Sequence, residues 1–151
     1  MSVDSGVSVH PDCITTFNEL RLGRGKQKYI IFKISDDKTE IVVEEASDDP
    51  NYDNFREKLI NAKDSKGKPS PRYAVYDVEF ELEGGEGKRN RITFISWVPS
   101  DTPMFSSMLY ATSRQTLKNA LNPHSAVFAD DESDLEWKNI LAEASGHKAL
   151  K

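Results

Sequence analysis

Three histidines and one cysteine are the side chains best suited to metal binding or nucleophilic chemistry. His10, His124 and His147 lie far apart in the sequence, and no two of them have the spacing of paired metal ligands. Cys13 is the single cysteine, which excludes an intramolecular disulfide and fits a reducing compartment. It falls on the apolar side of a predicted first helix, where a buried thiol is commoner than a nucleophile. These residues therefore predict neither a metal centre nor a catalytic cysteine.

Two further patterns could serve acid–base chemistry or phosphate binding. Asp77, Glu79 and Glu81 alternate along one face of a predicted strand, but no second group faces them as a general acid or base. The segment EGGEGK at 83–88 lacks the length and the terminal Lys-Ser/Thr of a P-loop, and it joins two strands. We therefore expect no enzyme and no cofactor.

The segment 97–121, WVPSDTPMFSSMLYATSRQTLKNAL, predicts a docking helix instead. The chain turns at Pro99 and enters the helix through Thr102-Pro103, with Pro103 at the first helical position. One helical stripe is small and basic, consisting of Ser107, Ala111, Arg114 and Lys118. The residues expected to face the core are Leu109, Leu117, Ala120 and Leu121. Such a stripe lets a helix lie close against an acidic partner.

Length and charge limit the function classes. A chain of 151 residues is typical of one domain, and its net charge of −5 disfavours nucleic acid as a partner. Basic residues nevertheless cluster at 21–28, 63–68 and 88–91, while acids cluster at 130–136. These clusters are either ordinary solvated surface or parts of one positive face. We see no secretory signal and no apolar run of the roughly 20 residues that span a bilayer, so the expected location is the cytosol.

The hydrophobic periodicity predicts the element order α-β-β-α-β-β-α-β-α, with the last helix starting near Ser133. The strands are expected at 29–34, 38–45, 76–82, 89–97 and 126–129, with a hairpin at 83–87. The first of them is apolar on both faces, which is typical of an interior strand. The pattern favours an α+β layout with a mixed sheet and helices covering its faces. We expect a flexible segment at 1–8, a single domain at 9–146 and a tail at 147–151.

Several sequence blocks follow one another in a characteristic order: Ser5-Gly6-Val7, TEIVV at 39–43, YAVYD at 73–77, Gly87–Arg89 with Arg91, Trp97-x-Pro99, and Met108-x-Tyr110-Ala111-x-Ser113. In their order and spacing these blocks resemble the actin-depolymerising factor/cofilin family, in particular its fungal members. The likeness runs from about residue 5 to residue 141. It implies the ADF-homology fold, in which a central mixed five-stranded sheet is flanked by helices.

The resemblance also implies a function and a set of contact residues. Proteins of this family bind monomeric and filamentous actin, prefer ADP-actin, and promote severing and disassembly. By position, the monomer surface would comprise Ser5, Gly6, Val7, Phe105, Ser107, Met108, Ser113, Arg114 and Lys118. The filament surface would comprise Lys88, Arg89 and Arg91. Ser5 matches the family's inhibitory phosphorylation site, where a phosphate would add nearly two negative charges and repel an acidic actin cleft.

Departures from the family pattern leave alternatives open. Phe105 and Ser107 stand where the family's helix is normally basic, and Glu143 and Gly146 stand where many members carry arginines. Each missing exposed cation should weaken attraction to actin by about 1 kcal/mol or less. One alternative is a diverged member with mainly monomer binding and weak severing. Another is a module that binds acidic phosphoinositides through Lys88, Arg89, Arg91 and Lys118. We expect a monomer that does not span a membrane.

Overall fold

The structure is a computed structural model that describes residues 6–23, 26–85 and 87–146. Its strands are β1 (Ser8–Val9), β2 (Tyr29–Ile34), β3 (Glu40–Ser47), β4 (Arg72–Glu81), β5 (Lys88–Trp97) and β6 (Ser125–Ala129). Its α-helices are α1 (Pro11–Leu22), α2 (Tyr52–Ile60), α3 (Met104–Leu121) and α4 (Trp137–Ser145). Short 3-10 turns occupy Glu83–Gly85 and Glu132–Leu135.

The strands form one mixed sheet with the order β1-β3-β2-β4-β5-β6. The four central strands are antiparallel, whereas β1 runs parallel to β3 and β6 runs parallel to β5. The predicted α+β class and mixed sheet are confirmed, but the predicted count of five strands is one short. The additional strand is β1, whose two residues are too few to show an alternating pattern in the sequence.

Both faces of the sheet are covered by helices. Ile30, Phe32 and Val75 pack with α1 and α3 on one face, and Ile31 and Ala74 pack with α2 and α4 on the other. Burial on both sides explains why β2 is continuously apolar, and the prediction that it is an interior strand is confirmed.

Three predicted helix positions need correction. Pro103 is the N-cap of α3, with an extended ψ of 139°, rather than its first helical residue. Ala120 is exposed and does not join the core. The last α-helix begins at Trp137 and not near Ser133, because Glu136 has an extended ψ of 141° that separates α4 from the preceding 3-10 turn.

Candidate protein-binding surfaces

The long helix α3 is fixed to the sheet by two buried hydrogen bonds at Tyr110. The backbone N–H of Ile34 donates to the Tyr110 hydroxyl at 2.8 Å, and the Tyr73 hydroxyl donates to the Tyr110 carbonyl oxygen at 2.5 Å. Burial raises the pKa of both tyrosines, so their hydroxyls keep their protons at neutral pH. Ser113 and Leu117 continue the same buried stripe. These contacts determine which face of α3 points outward.

The outward face of α3 begins with large apolar side chains and continues with the small and basic stripe. Phe105 and Met108 are 63% and 61% exposed, and Met104, which the sequence analysis did not select, is 77% exposed. Ala111 is exposed, and Ser107, Arg114 and Lys118 are partly exposed. Exposed apolar side chains of this size on one helix turn mark a contact surface.

Two of the predicted contact residues do not reach the surface. Val7 is 3% exposed because it belongs to the core between the sheet and the helices α1 and α3. Ser113 is 0% exposed because it lies on the buried side of α3. Gly6 is exposed and adopts a left-handed φ of +80°, which favours glycine. Ser5 lies outside the described residues. Any effect of Val7 or Ser113 on binding would therefore act through the position of the backbone.

The short strand β1 places the N-terminal segment beside α3. The backbone N–H of Ser8 donates to the carbonyl of Thr39 at 3.0 Å, and that of His10 donates to the carbonyl of Ile41 at 2.9 Å. β1 also contacts α3. Two regions that are remote in sequence, Gly6-Val7 and the docking helix, are thus neighbours in the fold.

Phe128, on the edge strand β6, extends the surface of α3. Its ring is 51% exposed, and the guanidinium carbon of Arg114 lies 4.2 Å from the ring centroid. The Lys118 ammonium lies 5.9 Å from the same centroid. Both distances fit cation–π contacts. Phe128 was not among the predicted contact residues, because its neighbours Val127 and Ala129 are apolar and nothing in the strand SAVFA marks which side is exposed.

The hairpin of β4 and β5 carries the second predicted surface. Arg89 lies opposite Phe80 and Arg91 opposite Val78, so the register places both arginines on one side of the strand, as predicted. Lys88 alternates to the other side. Lys88, Arg89 and Arg91 are exposed, and among the described residues none has a carboxylate within 4.0 Å.

These two surfaces lie on opposite faces of the sheet. The start of α3 is separated from Arg89 by the length of β5, in which eight residues span about 26 Å, but α3 runs back along the sheet, and His124, just after its end, donates its N–H to the Ile92 carbonyl at 3.0 Å. Arg89 and Arg91 also share the sheet side of Val78 and Phe80, which pack with α2 and α4, while α3 covers the opposite face. A partner that touches both surfaces must therefore contact two faces of the molecule, as two adjacent subunits could.

The candidates for catalysis have structural roles instead. Cys13 is fully buried, its thiol donates to the Ile41 carbonyl at 3.3 Å, and burial raises its pKa to about 11. The Nδ1 atom of His124 accepts a hydrogen bond from the N–H of Ile92 at 2.9 Å. The Nδ1 atom of His10 caps α1 by accepting from the N–H of Asp12.

The remaining candidates give no site either. His147 lies outside the described residues. Asp77 accepts hydrogen bonds from Asn90, and Glu79 pairs with Lys28 at 3.8 Å. Within residues 6–23, 26–85 and 87–146, no three His, Cys, Asp or Glu side chains are grouped to hold a metal ion. No helix in these ranges is long and apolar enough to cross a bilayer.

Comparisons with known proteins agree with this geometry. A family model described as "Cofilin/tropomyosin-type actin-binding protein" matches residues 6–145. The cofilin of Gibberella zeae is 44% identical over 146 residues, which cover 93% of this chain and 95% of that protein. The cofilin of Saccharomyces cerevisiae is 44% identical over 142 residues, with 93% and 94% covered. A crystal structure described as Streptomyces griseoflavus cofilin matches with a TM-score of 0.80 and 39% identity, covering 93% of this chain and 98% of that one.

An outward-facing helix beside an anchored N-terminal segment, on a mixed sheet covered by helices on both faces, is the arrangement of a protein-binding module of the ADF-homology class. The chain belongs to the cofilin/actin-depolymerising factor family. This is a family of non-enzymatic actin-binding proteins that act in filament depolymerisation. The resemblance to fungal cofilins and the expectation that the chain is not an enzyme are confirmed.

Proposed function

We propose that this protein binds monomeric and filamentous actin in the cytoplasm and promotes the disassembly and severing of filaments. The observation that carries the proposal is the exposed face of α3, with Phe105 and Met108 outward beside the N-terminal segment anchored by β1. Family membership supplies actin as the partner. The proposed preference is for ADP-bound actin, and the acting form is a monomer.

The monomer surface would combine apolar and charged contacts. Phe105 and Met108 can bury apolar area against the partner, at about 25 cal/mol per Å² removed from water, and methionine adapts its shape to an irregular surface. Arg114 and Lys118 can attract carboxylates, while Ser107 and Ala111 allow close approach. Val7 and Ser113 would support this surface from beneath.

The filament surface would be the hairpin with Lys88, Arg89 and Arg91. Arg89 and Arg91 lie on the opposite face of the sheet from α3, and Arg89 is about 26 Å along β5 from the end at which α3 begins. Contact at both places would suit a partner with two adjacent subunits, as in a filament. Simultaneous contact with two subunits is also a route by which a binding protein changes the geometry between them.

The test is cosedimentation with actin filaments, combined with filament length measured by fluorescence microscopy. We expect saturable binding at micromolar protein and progressively shorter filaments. The double variant Arg89→Ala/Arg91→Ala should lose filament binding but keep its affinity for monomers. Asn90→Ala, on the opposite side of the same strand, is the matched control. Absence of any binding at micromolar protein would refute the proposal.

A second candidate is a diverged cofilin that mainly binds monomers and severs weakly. It is favoured by Phe105, which is 63% exposed where the family's helix is normally basic, so the start of α3 is apolar rather than charged. Changing Phe105→Arg and Ser107→Lys should then increase filament affinity. Unchanged filament affinity in this double variant would argue against the second candidate.

Phosphorylation of Ser5 would be inhibitory under this proposal. Ser5 directly precedes Gly6, which lies beside the strand that contacts α3. A phosphate on Ser5 would add negative charge to the N-terminal segment, and this charge would repel the acidic partner proposed for the monomer surface. Acidic phosphoinositides are a further proposed ligand of the exposed Lys88, Arg89 and Arg91 and of the partly exposed Lys118, and salt should weaken their binding.

A further inference from the structure

A basic groove lies beside the first turns of α3, with a cavity volume of about 610 Å³. It is lined by the turn between β2 and β3, the loop between α2 and β4, and the start of α3. Six lysine or arginine side chains and three carboxylates line it, a surplus of three positive charges in a chain of net charge −5. Its lysines are Lys33, Lys38, Lys63, Lys66 and Lys68.

The five lysines of the basic groove form no close ion pair with another described residue, since none of them has a carboxylate within 4.0 Å in that part of the chain. Asp64 interacts with Lys66 and Lys68 at longer range, and this contributes to its lowered pKa. Arg72 differs, because its Nε donates to Glu44 at 2.7 Å and its guanidinium also donates to the Ser70 hydroxyl and to two backbone carbonyls. The Arg72 guanidinium is therefore engaged in bonds that join β3 and the loop before β4. The ammonium groups of the five lysines, in contrast, can contact an anion.

Local hydrogen bonds fix the backbone of the two loops that carry Lys38, Lys66 and Lys68 before any ligand binds. One Asp64 carboxylate oxygen accepts from the backbone N–H groups of Lys66 and Lys68 at 2.8 and 2.9 Å, and these bonds lower the pKa of Asp64. Asp37 likewise accepts from Ser35 and Thr39 across the turn that carries Lys38. A preformed arrangement loses less conformational entropy on binding.

The basic groove is continuous with the exposed face of α3. Phe105, Ser106 and Leu109 belong to α3 and also line the groove. The Lys38 ammonium lies 5.8 Å from the centroid of the Phe105 ring, within the range of a cation–π contact. The first basic residue of α3 is Arg114, so Lys38 supplies positive charge to the start of the helix from another element.

We propose that the basic groove is part of the actin-binding surface and receives an acidic segment of the same actin subunit that docks on α3. This inference rests on the proposed function. It is supported by the continuity of the groove with α3 and by the match between its unpaired lysines and an acidic partner. Clustered positive charge on a negatively charged protein steers an oppositely charged surface into register.

The test neutralises the groove without removing bulk. The triple variant Lys63→Gln/Lys66→Gln/Lys68→Gln should bind monomeric actin roughly three- to tenfold more weakly at low salt, with a shallower salt dependence. Lys38→Gln should weaken binding about twofold. Lys138→Gln removes an exposed lysine from α4, on the opposite face, and should bind as wild type. Unchanged thermal midpoints would show that all variants are folded.

The outcomes separate this inference from the function on which it rests. If the wild-type protein fails to bind actin, the proposed function is wrong. If the wild type binds and the triple variant matches it at low salt, the groove is not part of the interface. If the triple variant keeps its actin affinity but loses binding to vesicles that contain phosphatidylinositol bisphosphate, the groove is a lipid-headgroup site and the inference is likewise overturned.

Discussion

Phe128 shows how one side chain can organise a charged surface. An exposed arginine or lysine on a helix samples many rotamers, and fixing it costs up to about 2 kcal/mol of side-chain entropy. Here the exposed ring of Phe128 lies under Arg114 and near Lys118. The contact limits both cations to positions beside the outward face of α3, so part of the ordering has occurred before a partner binds.

We therefore expect Phe128→Leu to weaken binding to monomeric actin about two- to fivefold, the effect of losing exposed cation–π contacts. Phe128→Tyr retains an aromatic face and should bind as wild type. Leu22→Ala, which truncates another exposed apolar residue at the end of α1, is the control. The measurement is a fluorescence titration of labelled monomeric actin. Equal affinity of the leucine variant and the wild type would contradict this role of Phe128.

At the scale of elements, α3 depends on the sheet for its orientation. Tyr110 joins it to β2 through the N–H of Ile34 and to β4 through the Tyr73 hydroxyl. β1 lies beside α3 because it pairs with β3, so the sheet positions both parts of the proposed monomer surface. These hydrogen bonds hold the Tyr110 side of the helix against the sheet, and Phe105 and Met108 therefore point outward.

Removing the Tyr110 hydroxyl should destabilise the fold. Tyr110→Phe leaves the buried N–H of Ile34 without this acceptor, and we expect the free energy of unfolding to fall by about 1–3 kcal/mol. Thr112→Ala changes an exposed position of the same helix and should stay within about 0.5 kcal/mol of the wild type. Urea denaturation measures both. A wild-type midpoint for Tyr110→Phe would show that the bond contributes nothing to stability.

At the scale of the whole molecule, ionisable groups are buried on both faces of the sheet. Burial raises the pKa of Cys13 to about 11, and it raises the pKa values of Tyr52, Tyr73, Tyr76 and Tyr110 as well. In the unfolded chain these groups would lose their protons at ordinary pKa values. The native state therefore binds more protons than the unfolded state at alkaline pH, and stability must fall there.

We expect this stability to be fully present below about pH 9 and to be lost as the pH rises towards the folded-state pKa values. Each group contributes up to about 1.4 kcal/mol per pH unit between its two pKa values. Urea midpoints measured at increasing pH should fall steeply above pH 9, and Cys13→Ala should flatten part of that slope. A midpoint that does not change between neutral and strongly alkaline pH would contradict this account.

The sequence alone determined the features that local periodicity encodes. Continuous apolar residues predicted that β2 is an interior strand. Alternation along β5 predicted that Arg89 and Arg91 lie on the same side of that strand. Helical spacing predicted which residues of α3 face outward. The family resemblance then named the expected partner. The local pattern was enough for these three predictions because the directions of side chains along a helix or strand follow from the position of each residue in that element.

The tertiary structure decided which elements lie next to one another. It placed β1 beside α3, Phe128 beneath Arg114 and Lys38 over Phe105. Burial of Val7 and Ser113, which were predicted as surface contacts, was also a tertiary outcome. Each of these facts depends on packing between elements distant in sequence, and the periodicity of a single segment holds no information about what packs against it.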